Sequence, residues 1–463
     1  MVRMYSFLPI WSSRGLFTLA TILFLACTPE PSSVPRFVAT QVDSGATTVI
    51  DFSTTPSAIA LNGLELSTTL DSDLTLDGRR YGFAKIADVK TMENGTFAVL
   101  DRMDRHVSIY DAGGQRLHRF GRDGDGPGEF RHPLAIAVVG DHLVVWQAGR
   151  VNTFTTVARR GRIIAAAPPR IDANWNSLAF RQPNLFRDQY QMGPEDVTVR
   201  IWGWDDSTFV HAVQPTTDSA PFDDAEEGPL PYQLIRYNLT LDPVDTVAVL
   251  ASILTLADPN PNPRVKPNPI EPMYGGRPLW AASDDWFAVA HGDSNFIRIL
   301  TKLDRVEFIR LRWASERRNI THHEKLAFSE WQLSVELKRD SEFERQWSRQ
   351  SSSQKRKLHE EYVELNRSHF ASTAPHLTSI YSGRNCLFLA GFRPADSHTG
   401  VAATWLAFNV TKRQVAGVFR IPDHEARVRD ITDHHVYTTV VDNDGLWRIT
   451  RYSLQQLDCS NAG

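Results

Sequence analysis

The chain has 463 residues, with 50 Lys and Arg against 54 Asp and Glu, which gives a formal net charge of −4. Hydrophobic residues make up 42% of the chain and aromatic residues 10%, so it is long and apolar enough to bury a large core. The near balance of charge, with no stripe of Lys and Arg alternating with aromatic residues, argues against a nucleic-acid-binding protein.

Residues 1–27 have the pattern of a targeting segment. Arg3 and Arg14 precede the apolar run Gly15–Ala26, which is too short to span a bilayer, and Cys27 ends that run. The segment resembles a bacterial lipoprotein signal, and this resemblance implies that Cys27 is lipidated and becomes the mature N-terminus. No aspartate follows the cysteine, which by resemblance to Gram-negative lipoproteins implies outer-membrane sorting. A plain secretory signal and a buried N-terminal helix are the alternatives.

We therefore expect a flexible, Pro- and Ser-rich tether over residues 28–45 and a folded domain over residues 46–463. Thr47–Phe52 and Leu61–Leu70 are each predicted to form a strand. One of the two is expected to complete the last sheet of the fold, because joining both ends of the chain in one sheet removes an open edge.

A repeating unit is clearest between Gly95 and Pro133. Three strands are predicted there, separated by polar or Gly-Gly turns, and a loop with four glycines (Gly121–Gly128) follows them. The pattern begins again at Leu134–Val139, which gives a repeat of roughly 40 residues with four short strands, the period of a β-propeller blade. The three strands are Thr96–Leu100, His106–Tyr110 and Gln115–Phe120.

The order of these motifs, from Asp101 through His106–Asp111 to Gly126–Phe130 and Pro133, resembles the NHL-repeat β-propellers. It is most similar to the bacterial six-bladed propeller lipoproteins, over about one and a half repeats. The resemblance and the spacing together predict an all-β, six-bladed β-propeller. The expected blades span residues 81–120, 130–167, 197–250, 279–311, 377–421 and 428–452.

Four segments interrupt the repeat. The aromatic-rich Asp172–Pro194 is expected to lie over one mouth of the propeller, and the acidic Asp218–Glu227 to form a loop within the third blade. Pro259–Pro272 has six prolines and is expected to be a stiff, extended crossing. The fourth segment, residues 320–370, is predicted to insert two helices between blades four and five.

The helical prediction depends on two capping boxes and on apolar residues at helical spacing. Thr321 to Glu324 and Ser351 to Gln354 have the pattern in which the first and fourth residues exchange hydrogen bonds at a helix start. Such narrow apolar stripes cannot hold isolated helices in water, so the helices must dock on the propeller or on each other. The stripe residues are Phe343, Trp347, Leu358, Tyr362 and Leu365.

The sequence predicts no catalytic, cofactor or metal site. Asp123–Gly126 and Asp442–Gly445 resemble the opening of a calcium loop but lack its later glutamate, so both are interpreted as turns. The adjacent pairs His322-His323 and His434-His435 have poor spacing for a metal, and no Gly-x-Ser-x-Gly elbow or phosphate-binding loop is present.

Two cysteines remain after Cys27, namely Cys386 and Cys459. They either pair in an oxidising envelope and tie the C-terminus to the fifth blade, or Cys386 is a small buried apolar residue and Cys459 a free residue of the tail. The sequence favours the second interpretation.

These features predict an envelope-anchored binding or interaction module. Its partner would be another envelope protein or an extracellular ligand, reached through the helical insert that covers or extends one face of the ring. One rival is a lyase or lactonase-like hydrolase with a metal in the central channel, for which His291 and Asp430 are the candidate channel groups. A structural envelope protein without a small ligand is the other.

Overall fold

Six twisted β-sheets of four to six strands make up most of the described structure, an all-β propeller with few helices. The computed structural model describes residues 39–53, 68–92, 95–147, 153–158, 163–167, 179–181, 201–216, 232–250, 276–314, 317–337, 345, 347–365, 370–391, 404–423, 426–442 and 444–459. The predicted targeting segment with Cys27, the aromatic segment 172–194, the acidic loop 218–227 and the Pro-rich crossing 259–272 lie largely or wholly outside these residues.

The first described strands belong to sheets formed mainly by later parts of the chain. They are β1 (Ala39–Ser44), β2 (Thr47–Phe52), β3 (Thr68–Thr69) and β4 (Ser72–Asp77), followed by the four-residue helix α1 (Gly78–Tyr81). The strand β1 occupies the last part of the segment predicted as a tether.

The first three sheets follow in chain order. The first contains β5 (Ile86–Thr91), β6 (Phe97–Asp101), β7 (His106–Tyr110) and β8 (Arg116–Phe120). The second contains β9 (Pro133–Val139), β10 (His142–Gln147), β11 (Thr153–Ala158) and β12 (Ile163–Ala167). The third contains β13 (Ala179–Arg181), β14 (Ile201–Gly203), β15 (Thr208–Thr216), β16 (Tyr232–Asn238) and β17 (Pro243–Leu250).

The other three sheets complete the fold. The fourth contains β18 (Pro278–Ala282), β19 (Trp286–His291), β20 (Phe296–Thr301) and β21 (Glu307–Trp313). The fifth contains β22 (Leu377–Ser382), β23 (Cys386–Gly391), β24 (Thr404–Asn409) and β25 (Gln414–Arg420). The sixth contains β26 (Arg427–Ile431), β27 (His435–Val441) and β28 (Trp447–Ser453).

One strand of each sheet contacts a strand of the next sheet, and these contacts form a closed cycle around the axis of the ring. β5 contacts β9, β9 contacts β14, β14 contacts β18, β18 contacts β22, β22 contacts β26, and β26 contacts β5. The inner and middle strands of a sheet are covered on both faces by the neighbouring sheets. This is why the FAVLD run of β6 and the HVSIY run of β7 are buried throughout. The core therefore lies between adjacent sheets, as where Tyr110 and Tyr437 of the first and sixth sheets share one cluster.

The strand that joins the two ends of the chain is β4, and the expectation that Thr47–Phe52 or Leu61–Leu70 would do so is wrong. β4 pairs antiparallel with β28 of the sixth sheet, with Leu76 opposite Ile449. β2 instead pairs in parallel with β21 of the fourth sheet, and β3 with β25 of the fifth. The sequence SDLTLD concealed β4 because an outer strand is largely exposed and needs few apolar residues.

The predicted two-helix insertion lies between the fourth and fifth sheets, as α2 (His322–Leu337) and α3 (Ser352–Leu365). No helix among the described residues is long and apolar enough to cross a membrane.

Cys386 and Cys459 form a disulfide, which corrects the interpretation of both as free thiols. The C-terminal tail runs back across the fifth sheet, where Asn409 Nδ2 donates to the Asp458 carbonyl at 2.8 Å. Asn385 Nδ2 also donates to the Cys459 carbonyl at 3.1 Å, so the tail is held where its cysteine meets β23. Their separation of 73 residues gives no sign of this approach, because the tail's return path depends on the complete fold.

Candidate functional site

The axis of the ring holds a buried charged cluster. Lys90 of β5 places its Nζ 3.2 Å from Asp430 Oδ1 on β26 and 3.9 Å from Asp88 Oδ1 on its own strand. Lys90 Nζ also donates to the Arg429 carbonyl at 3.3 Å, and Asp430 Oδ2 accepts from the Thr91 amide at 2.9 Å. The cluster therefore bridges the first and sixth sheets.

Aromatic side chains from the third, fourth and fifth sheets extend from this cluster. The Lys90 ammonium lies 4.9 Å from the ring centre of Trp202 on β14, a cation–π distance. Trp202 in turn contacts Trp280 of β18 and Tyr381 of β22 edge to face. The Tyr381 hydroxyl donates to the Val428 carbonyl at 2.8 Å, which links the fifth sheet to the sixth.

The cluster sets one ammonium against two carboxylates, and the buried Arg429 adds a second positive charge that acts on Asp88. Burial raises the pKa of Asp88, while the Lys90 ammonium and a hydrogen bond from the Ile136 amide act in the opposite direction. The amides of Val89 and Ile136 donate to the two oxygens of Asp88 at 2.9 and 3.0 Å. With its carboxylates engaged by an ammonium and by backbone amides, the cluster joins sheets and offers little free coordinating capacity.

A channel metal of the kind expected for a lactonase-like hydrolase does not fit these residues. Such a cation needs converging oxygen or nitrogen ligands, whereas the Lys90 ammonium lies between Asp88 and Asp430. Among the described residues, one group of three potential ligands is close enough to share an ion, namely Cys386, Asp433 and Cys459. Its two cysteines are bonded to each other.

Of the two proposed channel groups, Asp430 lies in the cluster at the axis and His291 does not. His291 ends β19, the second strand of its sheet, and its Nδ1 accepts from the Asp293 amide at 3.3 Å. The structure thus does not bring His291 and Asp430 together as a common site.

The two calcium-like motifs are turns whose carboxylates are already engaged. Asp442 Oδ1 accepts from the amides of Asp444 and Leu446 at 3.0 and 2.9 Å. In the glycine-rich loop, Glu129 Oε2 accepts from the Gly126 amide at 2.9 Å. Three arginines of that region pair with its acidic residues, as Arg105–Asp123, Arg122–Glu129 and Arg131–Asp125.

Two further basic side chains have strongly perturbed pKa values away from the axis. Burial lowers the pKa of Lys302 to about 8, and its ammonium lies 4.6 Å from the ring centre of Trp204. Burial also lowers the pKa of His211 on β15 to about 3, so this imidazole is neutral at physiological pH. Each packs between sheets against a Trp ring, which indicates a role in the core.

A polar groove of about 540 Å³ lies between the fifth and sixth sheets. Arg448 Nη2 donates to Asp423 Oδ2 at 3.1 Å at its wall. Hydroxyl groups of Ser72, Thr75 and Thr450 also line it, but its described lining contains no histidine or cysteine for acid–base or nucleophilic chemistry.

Both predicted capping boxes are present at the starts of the inserted helices. Thr321 N donates to Glu324 Oε2 at 2.8 Å, and Glu324 N donates to Thr321 Oγ1 at 3.2 Å. The same exchange joins Ser351 and Gln354 at 2.9 and 3.3 Å. Burial acts to raise the pKa of Glu324, but hydrogen bonds from Arg318 and Thr321 outweigh it and leave that pKa lowered.

The two helices form a hairpin with a small core of its own. Phe328 of α2 and Val363 of α3 are buried with Phe370, and the Phe328 and Phe370 rings meet edge to face. Ser329 Oγ and His359 Nδ1 form a buried hydrogen bond of 3.0 Å between the helices. Leu358, a residue of the predicted apolar stripe, is 44% exposed. The buried face of α3 is formed instead by His359 and Val363.

The insert is closed at its base by backbone pairing. Asn319 and Thr373 form an antiparallel bridge, with Ile320 N donating to Ser372 O at 3.2 Å and Ala374 N to Arg318 O at 3.0 Å. Its ends contact the β19–β20 turn, since Arg317 pairs with Asp293 at 2.5 Å and His376 N donates to Gly292 O at 2.7 Å. The insert thus starts from the end of the fourth sheet where that turn lies, opposite the β20–β21 turn.

Sequence reasoning missed Asp88, Lys90 and Trp202. The signal for the first two was present, because they are charged residues within IADVKT, a run next to the predicted blade strands. Trp202 gave no such signal, since a tryptophan in a strand is usually a residue of the hydrophobic core.

No family model matches the chain. Over 58 residues it is 40% identical to the E3 ubiquitin-protein ligase NHLRC1 of Rattus norvegicus and of Mus musculus. The match covers 12% of this chain and 15% and 14% of those proteins, so it supports a local similarity to NHL-repeat sequences and does not extend to their activity.

Similar solved structures include a member of the duf4221 family from Bacteroides vulgatus, with a TM-score of 0.44 and 10% identity, covering 83% of this chain and 97% of that one. A putative exported protein from Bacteroides fragilis gives 0.37 and 9%, covering 88% and 99%. The calcium-binding protein regucalcin from Agrobacterium tumefaciens gives 0.34 and 7%, covering 80% and 90%. At such low scores and identities these structures identify neither a ligand nor a reaction.

Proposed function

We propose that this chain is a six-bladed β-propeller binding module of the bacterial cell envelope, anchored through lipid on Cys27. Each of the six sheets is one blade, and the partner docks on the face that carries the two-helix insert. The partner is another envelope protein or an extracellular ligand.

The observation that carries this proposal is the self-contained construction of the insert. Its helices have their own capping boxes and their own core around Phe328, and its base closes where Ile320 meets Ser372. The cycle of sheet contacts does not pass through it. An element that the ring does not need, placed at one face, serves best as a contact surface for something outside the ring.

Lipid anchoring is supported by the leader ending at Cys27, and an oxidising compartment by the Cys386–Cys459 disulfide. The enzyme alternative is less well supported because the Lys90 ammonium engages Asp88 and Asp430, the carboxylates that a metal at the axis would need as ligands. A purely structural envelope protein would share the anchor and the ring, and differs only in lacking a partner specific to the insert.

The test is a variant in which residues 321–371 are replaced by Asn-Gly, a turn suited to a two-residue hairpin between Ile320 and Ser372. Ile320→Thr is added because that side chain, 7% exposed, loses the core it packs against. We expect a folded all-β protein by circular dichroism that no longer retains its partner from solubilised native envelopes.

A matched variant, Leu303→Glu, alters the β20–β21 turn, where that leucine is 90% exposed on the opposite side of the ring, and should retain the partner. A folded insert-less protein that still binds would contradict the proposal. So would loss of binding in Leu303→Glu alone. Bound stoichiometric divalent metal in the purified domain would instead favour the hydrolase.

The anchoring part is tested by Cys27→Ser, which removes the thiol to be acylated. We expect the variant to move from the membrane fraction to the soluble fraction, whereas Cys386→Ser should stay with the membrane. Unchanged membrane attachment of Cys27→Ser would contradict lipidation at this residue.

A further inference from the structure

The outer edges of the six sheets differ in whether the N-terminal segment adds a further strand to them. The N-terminal segment adds β2 to the outer strand of the fourth sheet, β3 to that of the fifth and β4 to that of the sixth. In contrast, β8 is the outermost strand of the first sheet and pairs only with β7 among the described residues. Its outward backbone groups therefore form an open edge of the kind that accepts another strand.

The side chains of this edge are basic and exposed. In β8 the first four residues, RLHR, are all exposed, and Leu117 is 46% exposed. A β-bulge places Arg119 opposite Ser108 and Arg116 opposite Tyr110, so the two arginines lie on one face of the strand, while His118, opposite Ile109, lies on the other. No acidic side chain among the described residues forms an ion pair with Arg116 or Arg119, although Arg119 Nη2 lies 3.1 Å from His106 Nδ1.

This lack of compensation is local. The arginines just before and after the strand are paired with carboxylates, as Arg105 is with Asp123 and Arg122 with Glu129. Among the described residues, the edge of β8 thus holds two guanidinium groups without a carboxylate partner, beside a backbone that no further strand pairs with.

We propose that β8 is a docking edge for an extended acidic segment of a partner protein, which adds to the first sheet as a further strand. Backbone hydrogen bonds would hold the segment, and its alternating carboxylates would lie opposite Arg116 and Arg119. A second copy of β8 would place like charges opposite one another, so the same side chains disfavour self-pairing. This site lies on the rim of the ring and is separate from the insert face.

The probe is a labelled synthetic peptide about eight residues long in which Glu alternates with Val, compared with the same peptide carrying Gln. We expect the Glu peptide to bind in fluorescence anisotropy titrations and the double variant Arg116→Glu/Arg119→Glu to bind at least about tenfold more weakly. Hydrogen exchange of residues 116–120 should slow when the peptide binds, which is the signature of an added strand.

The control is Arg349→Glu/Arg356→Glu on the insert, two exposed arginines whose reversal changes the net charge equally. It should bind within about twofold of the parent. The proposal is overturned by no binding at about 1 mM peptide, by equal weakening in the control, or by binding without slower exchange in 116–120. The proposal would also be overturned if polyphosphate displaced the labelled peptide as effectively as the unlabelled Glu peptide does. That result would show that the arginines bind negative charge without the addition of a strand.

Discussion

Replacing Lys90 by Met should strongly destabilise the ring. The substitution keeps the length of the side chain but removes the ammonium that lies 3.2 Å from Asp430 and 3.9 Å from Asp88. The side chains of Lys90 and Asp430 are only 8% and 7% exposed, so the carboxylates would be left buried without their cation. Breaking a buried pair in this way costs about 3–5 kcal/mol, a large part of the ~5–15 kcal/mol that holds a typical domain together.

The measurement is urea unfolding of the parent, Lys90→Met, and the double variant Lys90→Met/Asp430→Asn. Asparagine keeps an acceptor for the Thr91 amide, so the double variant should recover to within about 1–2 kcal/mol of the parent. The single variant's deficit should also be smaller near pH 5 than near pH 8, because burial raises the pKa of Asp88 and the loss of the Lys90 ammonium removes the charge that opposes this rise.

The matched control is Lys357→Met, which removes the same side chain from an exposed pair. Lys357 Nζ lies 3.5 Å from Glu361 Oε1, with side chains 76% and 53% exposed, so the loss should be below about 0.5 kcal/mol. A Lys90→Met protein within about 1 kcal/mol of the parent would refute the view that this pair joins the first and sixth sheets.

Three other predictions concern the ring. Replacing Cys386 and Cys459 by Ala should lower the free energy of unfolding by about 2–5 kcal/mol, and reductant should have no further effect on that variant. Gly128→Val should lower the free energy of unfolding by about 1–3 kcal/mol, since φ there is +78°. Gly121→Val should lower it further, because φ is +92° and an added Cβ would collide with the Phe130 ring. Melting temperatures equal to that of the parent would contradict both expectations. Burial lowers the pKa of His211 from 6.5 to about 3, so protonation of this imidazole favours the unfolded state. The free energy of unfolding should therefore be about 2 kcal/mol lower at pH 5 than at pH 8. Urea unfolding at these two pH values should show the difference in the parent and not in His211→Leu.

The strands were predictable because their residues carry the pattern locally. The HVSIY run is β7 as predicted, since turns on both sides limit where the strand can begin and end. The helix starts were predictable for the same reason, because the capping boxes at Thr321 and Ser351 need only residues three positions apart.

The features that escaped prediction depend on residues far apart in the chain. The Cys386–Cys459 disulfide joins residues 73 apart, and β4 pairs with β28 from the other end of the domain. The meeting of Lys90 with Asp430 also spans the two ends of the domain. A single sequence states the charge of each residue but not its partner, which is why the axis cluster could not be derived from it.

The most direct test of the proposed docking face is site-specific photo-crosslinking in native envelopes. A photoreactive residue replaces Leu358, an exposed leucine of the insert, or Leu303, an exposed leucine on the opposite side of the ring. We expect one discrete cross-linked product from position 358 and none from position 303. A product from position 303 alone would place the partner on the opposite side and contradict the account.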